Sequence, residues 1–190
     1  MHPHFFNLAK HLELWDETIA IYRDSFPEWE RENEAKILNN IKNSSYVMYA
    51  YQIDKEIVGF YILDISARYD YTLFSFLAIK ESKRGLGLGS KLLVHSITYF
   101  QEHCNCSHLL IEAQERQAKL YARLGFNAID LDYRVPSFNS SKSITMSLML
   151  FGDKSLPKDT LSTIITDIFQ RGYGLTSYDI RLKEQLQRVK

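Results

Sequence analysis

The feature that most constrains this chain is a junction. An apolar, β-branched and aromatic run over residues 71–80 gives way to a helical pattern, and at the changeover stands Arg84-Gly85-Leu86-Gly87-Leu88-Gly89. Three alternating glycines between a strand and a helix mark a turn in which the backbone comes close to something, because glycine has no Cβ to hold a ligand away. The helix that follows brings unpaired N–H groups and the positive end of its dipole to the same point, which makes the junction an anion site before any side chain is counted. Leu88, Leu92, Leu93, Ile97 and Phe100 give this helix an apolar face, and Leu109-Leu110-Ile111 follows as a short strand of the fully buried kind. The segment is a strand, helix, strand crossover.

The rest of the chain extends this unit on both sides. Phe5-Phe6 suggests a short strand; Leu12, Trp15, Ile19 and Tyr22 recur at helical spacing until Pro27 closes the segment. A more polar helix over about residues 30–42 carries Ile37, Leu38 and Ile41, so the two helices are expected to form an N-terminal lid. Residues 46–53 and 57–65, joined by Asp54-Lys55-Glu56, read as a hairpin. A helix over residues 115–124 ends at Gly125, and residues 126–131 and 143–151 read as two more strands. Ser155-Leu156-Pro157 opens a further helix, Gly172-Tyr173-Gly174 breaks it, and Thr176 with Asp179 has the spacing of a capping box for a last helix. One main domain over residues 1–152 is expected, with residues 153–190 as a helical extension packed on it.

Composition removes several function classes. The 190 residues are 45% hydrophobic and 24% charged, enough for one well-buried core. Lys plus Arg and Asp plus Glu both total 23, which leaves no net field to draw a nucleic acid or an anionic membrane. No apolar run approaches the roughly 18 residues of a membrane span, and Met1-His2-Pro3-His4 has no signal-peptide pattern, so a cytoplasmic protein is expected. The two cysteines lie within His103-Cys104-Asn105-Cys106-Ser107-His108. This cluster holds soft ligands, but its spacing fits no metal site, and the expectation is that it ends one helix and opens the next strand, with no metal bound.

Three phosphate-binding arrangements compete for the glycine loop. A Walker loop needs Lys and then Ser or Thr directly after its last glycine, whereas Gly89 is followed by Ser90-Lys91. A dinucleotide fingerprint needs G-x-G-x-x-G and an acid at the end of the next strand; these glycines are one residue short. The third arrangement, Arg/Gln-x-x-Gly-x-Gly/Ala, is matched in full by Arg84, Gly87 and Gly89. In this the chain resembles the GNAT superfamily of acetyl-CoA-dependent N-acetyltransferases. Leu77-Ala78-Ile79 is similar to that family's strand end before the loop, and Leu120-Tyr121-Ala122-Arg123-Leu124-Gly125-Phe126 is similar to its second motif. Gln114 and Gln117 stand where the family often has Asn and Ala.

The resemblance implies an α/β (α+β) fold with a mixed central sheet of six to seven strands flanked by helices and a C-terminal helical extension. It implies acetyl-CoA as co-substrate, lying where residues 71–80 splay from residues 109–113. Backbone groups of Leu77, Ala78 and Ile79 would hold the pantetheine; amides of Arg84, Gly85, Leu86, Gly87, Leu88, Gly89 and Ser90 would hold the pyrophosphate, with charge from Lys83 and Arg84. Tyr121 is implied as the acid that protonates the departing thiolate, against the plainer reading of a core aromatic. The acceptor amine must lose a proton, and Glu112 is the candidate base, since a carboxylate beside Leu109-Leu110-Ile111 needs a partner or a role; a solvated strand end is the competing account. Glu28, Glu30 and Glu32 form an acidic turn that could face the acceptor or simply start a solvated helix. The acceptor is expected to be a small-molecule or peptide amine, shaped by residues 27–32 and 133–138, and the protein a monomer or homodimer. A non-catalytic acyl-CoA-binding module and a nucleotide-binding enzyme are the rival classes.

Overall fold

The computed structural model describes residues 3–138, 141–152 and 155–189. Its centre is a sheet of strands β1 (Pro3–Asn7), β2 (Tyr46–Ile53), β3 (Glu56–Ser66), β4 (Tyr71–Ile79), β5 (His108–Ala113), β6 (Phe126–Ala128), β7 (Tyr133–Pro136) and β8 (Ser143–Phe151). The strands lie in the order β1-β2-β3-β4-β5-β8-β6, with β7 pairing β8 off this path. Among the described residues only β4 and β5 pair in parallel, and the crossover helix α3 (Leu88–His103) joins them. The sheet is therefore mixed, as expected, and β7 adds a strand that the sequence leaves as a connection. Four residues ending in proline give too short a pattern to read as a strand; their pairing is decided by β8. The preceding strand stops at Ala128, short of the expected residue 131.

Alternation along the strands sorts the helices onto two faces. Tyr61, Leu63, Phe74, Leu109, Ile111 and Ala113 pack with the Leu92, Leu93, Ile97 and Phe100 stripe of α3, and α4 (Glu115–Ala122) closes the same side. On the opposite face Phe60, Ile62 and Ala78 pack with Ile19, Tyr22, Ile37 and Ile41 of α1 (Trp15–Ser25) and α2 (Glu34–Lys42). Further along that face, Leu73, Leu110, Leu148 and Leu150 pack with Leu161, Ile164 and Ile165 of α5 (Lys158–Asp167) and Leu182 of α6 (Ile180–Gln187). The C-terminal helices thus share the core of the sheet. Asp179 alone caps α6, its carboxylate accepting from the amide of Arg181; Thr176 lends only its carbonyl, to the Asp179 amide, so the expected capping box is not formed. Among the described residues no helix is long and apolar enough to cross a membrane.

One irregularity opens the sheet. Leu63 pairs with Phe74 and Ile62 with Phe76, which leaves Ser75 as an extra residue in β4. Such a bulge bends a strand and increases its twist. The β4–β5 ladder correspondingly runs only from Tyr71↔His108 to Phe74↔Ile111, although β4 continues to Ile79 and β5 to Ala113. Past the bulge, the two strands diverge and leave a cleft between them.

Candidate active site

The donor side is built from backbone. After β4 a short 3-10 turn (Glu81–Lys83) leads into the loop, where Gly85 and Gly87 adopt φ of 79° and 73°, a left-handed region costly for residues with a side chain. A Cβ at either position would point into open space, so what demands glycine there is conformation and clearance, not crowding by the protein. Gly87 is the N-cap of α3, and the first helical bond is donated by Lys91 to the Gly87 carbonyl. The amides of Leu88, Gly89 and Ser90 consequently have no acceptor within the helix and point out of its positive end. Arg84 donates from Nε to the Ile79 carbonyl at 3.2 Å, tying the loop to the end of β4. Lys83 is placed differently from the expectation that it supplies charge to the loop: its Nζ lies 2.8 Å from Glu56, which Lys80 also contacts at 2.7 Å. Hydrogen bonds from the two lysines hold the Glu56 carboxyl down at about 2.

The cleft between β4 and β5 widens into a cavity of about 310 Å³. Leu77 forms one wall; Ile111, Glu112, Ala113, Gln114, Gln117 and Tyr121 form another. Tyr121 comes from the last turn of α4, which stops at Ala122, short of the expected residue 124, and a turn through Gly125 with φ 94° leads on to β6. Burial pushes its hydroxyl up to about 12, so it remains a proton donor throughout the neutral range.

Glu112 also reaches this cavity, and the solvated strand-end account of it fails. Its neighbour Leu110 faces α5, and alternation turns Glu112 to the same side. There the Tyr133 hydroxyl donates to Oε1 at 2.5 Å and the Tyr173 hydroxyl donates to Oε2 at 2.6 Å. Burial raises the Glu112 carboxyl above its ordinary value, and the two hydrogen bonds partly oppose that rise. Both phenols are held far above their usual range by burial first and by the Glu112 charge next, so both keep their protons and act as donors.

Tyr173 is the site residue that sequence reasoning missed. It follows the π turn (Ile168–Gly172) at the end of α5, and was visible only as part of a helix break. Its place is held by two partly buried cations on either side of the turn, Arg171 and Lys36. Arg171 forms ion pairs with Asp64 of β3 and, at 3.2 Å, with Asp167; Lys36 of α2 donates to the carbonyls of Arg171 and Gly172 at 2.8 and 3.2 Å. Nothing in the local pattern of any of these segments signals the others, since the sequence separations exceed 100 residues.

The acidic turn likewise faces inward. Glu28–Glu30 forms a 3-10 turn, and Trp29 and Glu30 line the cavity. Glu32 is 4% exposed, accepts from Tyr46 at 2.9 Å and pairs with Lys36 at 2.5 Å. The solvated-helix account holds for Glu28 only. The metal-rich-looking segment ends α3 and opens β5, both thiols lying against Thr72; among the described residues no three His, Cys, Asp or Glu side chains gather as metal ligands.

A sequence model of the acetyltransferase (GNAT) family matches residues 15–126, more than half of the chain and the whole span from α1 through the glycine loop to the Gly-Phe motif. The chain belongs to the GNAT acetyltransferase family. Solved structures share the fold at low identity. A GNAT-family protein from Bacteroides thetaiotaomicron is 17% identical with a TM-score of 0.75, covering 91% of this chain and 99% of its own. The ribosomal-protein-S18-alanine N-acetyltransferase of Escherichia coli is 18% identical with a TM-score of 0.60, covering 82% and 97%. The PaiA N-acetyltransferase of Thermoplasma acidophilum, solved with coenzyme A, is 17% identical with a TM-score of 0.57, covering 80% and 99%. No curated protein matches the sequence.

Proposed function

We propose that this GNAT acetyltransferase moves the acetyl group of acetyl-CoA to a primary amine by direct attack within a ternary complex. The observation that carries the reading is a cavity lined by Leu77, Tyr121 and Glu112 where β4 leaves the β5 ladder, on the same strand whose end leads into the glycine loop. Left-handed Gly85 and Gly87, with open space where a Cβ would stand, and the free amides of Leu88, Gly89 and Ser90 suit a pyrophosphate. The edge of β4 at Leu77 and Ala78 has no strand partner on the β5 side, so peptide groups there can meet the amides of a pantetheine arm, while the Ile79 carbonyl accepts from Arg84.

Acetyl-CoA bound there supplies a thioester carbonyl: the amine nitrogen bonds to that carbon as the carbon–sulfur bond breaks, giving the N-acetylated amine and CoA thiol. An amine with a pKa of about 10.4 arrives mostly protonated at neutral pH, so the site must first take a proton. Glu112 accepts it, directly or across the Tyr173 hydroxyl, whose own proton already points at Oε2. The raised affinity of Glu112 for a proton brings it closer to the operating pH, which favours a base. Tyr121 donates to the sulfur as it leaves. A thiol's ordinary value of about 8.5 lies below that of a buried phenol, so Tyr121 serves mainly by a hydrogen bond that strengthens as charge develops on sulfur.

The test is CoA release, read with a thiol reagent, on a panel of amines, beside calorimetric binding of acetyl-CoA, ATP and NAD. Turnover with acetyl-CoA binding alone supports the proposal. Binding without turnover on any amine returns the protein to an acyl-CoA-binding module, and binding of ATP or NAD in place of acetyl-CoA removes the loop assignment.

A further inference from the structure

The acceptor end of the cavity carries chemistry that goes beyond "an amine". Four acidic residues border it, Glu30, Glu32, Asp64 and Glu112. Two are already matched: Glu32 by Lys36, and Asp64 by Arg171. Among the described residues neither Glu30 nor Glu112 pairs with a cation; Glu30 meets only the Gln114 amide at 3.4 Å, and Glu112 only its two phenols. The cavity that these two carboxylates border is otherwise mainly apolar, and several of its walls are rings. Phe26 and Phe76 meet edge to face at 5.2 Å, Phe138 stacks on Tyr173 at 5.0 Å, and Trp29 is 41% exposed at the rim. The amide of Phe138 donates to the carbonyl of Trp29 at 2.9 Å, tying the segment after β7 to the acidic turn across the mouth.

We propose that the acceptor is a compact primary monoamine on an apolar, aromatic body, its ammonium received between Glu30 and Glu112 and its body held against Trp29, Phe138 and Tyr173. This rests on the acetyltransferase reading above. Ring faces suit both ends of such a molecule, attracting the cation through their quadrupoles and the body through burial. A polyamine fits poorly, because with its first ammonium between Glu30 and Glu112 the second and third would enter the cavity with no unmatched carboxylate left to meet them. A peptide fits poorly for a different reason. Its backbone needs donors and acceptors at the mouth, and the Phe138 amide and Trp29 carbonyl that could serve already bond to each other. The space of about 310 Å³ has to hold the reacting thioester end as well, which limits the acceptor to a small molecule.

The experiment compares 2-phenylethylamine and tryptamine with propylamine, spermidine and an alanine-initiated hexapeptide, on the full-length protein, with acetyl-CoA binding measured separately by calorimetry. The expected result is kcat/KM at least about tenfold higher for the two aromatic amines than for spermidine or the peptide. Glu30→Gln should raise KM for 2-phenylethylamine about tenfold with kcat and acetyl-CoA binding little changed. Trp29→Ala, whose side chain lies at the rim, should lose at least about tenfold more kcat/KM on 2-phenylethylamine than on propylamine. Preference for spermidine or the peptide overturns the substrate class and leaves acetyl transfer standing, as does an unchanged KM in Glu30→Gln. Acetyl-CoA binding with no amine turned over overturns the substrate class too, whereas absence of acetyl-CoA binding removes the acetyltransferase reading itself.

Discussion

Tyr173→Phe deletes one oxygen atom and isolates what the C-terminal segment contributes to the chemistry. Its hydroxyl donates to Glu112 Oε2 at 2.6 Å inside a partly buried site. A hydrogen bond to a charged group contributes about 1.5–3 kcal/mol. The phenol can still donate, more weakly, to the neutral acid, so the difference between the two protonation states lies at the low end of that range. At 1.36 kcal/mol per factor of ten, the variant should hold about tenfold less ionised Glu112 wherever the group is mostly protonated. The sign follows from the role. Glu112 must be ionised to accept a proton, its carboxyl is already raised by burial, and loss of a donor raises it further. Activity should therefore fall about tenfold on the acidic side of the pH profile and recover towards wild type on the alkaline side. The assay is kcat/KM over about pH 5 to 9, with acetyl-CoA binding and urea unfolding measured beside it. Glu112→Gln should abolish the acidic limb altogether. A uniform, pH-independent loss in Tyr173→Phe would reduce the tyrosine to a packing residue, and an unmoved acidic limb would remove Glu112 as the base.

Tyr121→Phe should lower kcat by about 10²-fold, in the range for loss of a positioned acid, with acetyl-CoA affinity unchanged; equal turnover excludes Tyr121 from the reaction. Because the hydroxyl sits near 12, wild-type activity should show no alkaline limb from Tyr121 below about pH 10, checked by comparing the two pH profiles. Gly87→Val forces a β-branched residue to φ 73° at the head of α3, a conformation costing on the order of 1–3 kcal/mol, and should abolish acetyl-CoA binding in calorimetry. Arg171→Leu leaves Asp64, 3% exposed, without its cation, and should cost about 3 kcal/mol in urea unfolding; the lower end of the usual range applies because Arg171 itself is 32% exposed.

The parts of this molecule that were legible in the sequence are those built by neighbours in the chain. The glycine loop, the helix after it and the Tyr121 to Gly125 segment announce themselves because a left-handed glycine, an apolar stripe and a helix terminator act over a few residues. The crossover unit followed from the same signals. β7 was not legible, since Tyr133-Arg134-Val135-Pro136 becomes a strand only when β8 lies beside it. The Ser75 bulge was equally hidden: a single unpaired residue leaves the apolar run of β4 intact while moving its outer half away from β5. Glu112 could be singled out as an acid in an apolar strand, yet its fate depended on Tyr133, 21 residues on, and Tyr173, 61 residues on.

That division follows the chemistry of the two halves of the site. A phosphate ester is the same whatever the enzyme acetylates, and backbone amides held by helix geometry are enough to bind it; glycine is the only residue type that geometry requires, so the requirement is written in consecutive positions. The proposed acceptor pocket is made instead of side chains from Phe26 just after α1, the acidic turn, β5, the β7 end and the C-terminal segment. Each of those side chains serves another purpose locally: Glu30 ends a turn, Phe138 follows a strand, Tyr173 stands between two glycines. The ion pair of Arg171 with Asp64 and the hydrogen bonds from Lys36 to the Arg171 and Gly172 carbonyls help to hold Tyr173 against Glu112 and Phe138. If that clamp positions the acceptor wall, Lys36→Met should raise KM for the acceptor while leaving the affinity for acetyl-CoA as it is, because the Lys36 ammonium contacts Glu32, Arg171 and Gly172 and, among the described residues, none of the glycine loop. A variant that lost both together would mean that the two halves of the cavity are mechanically one.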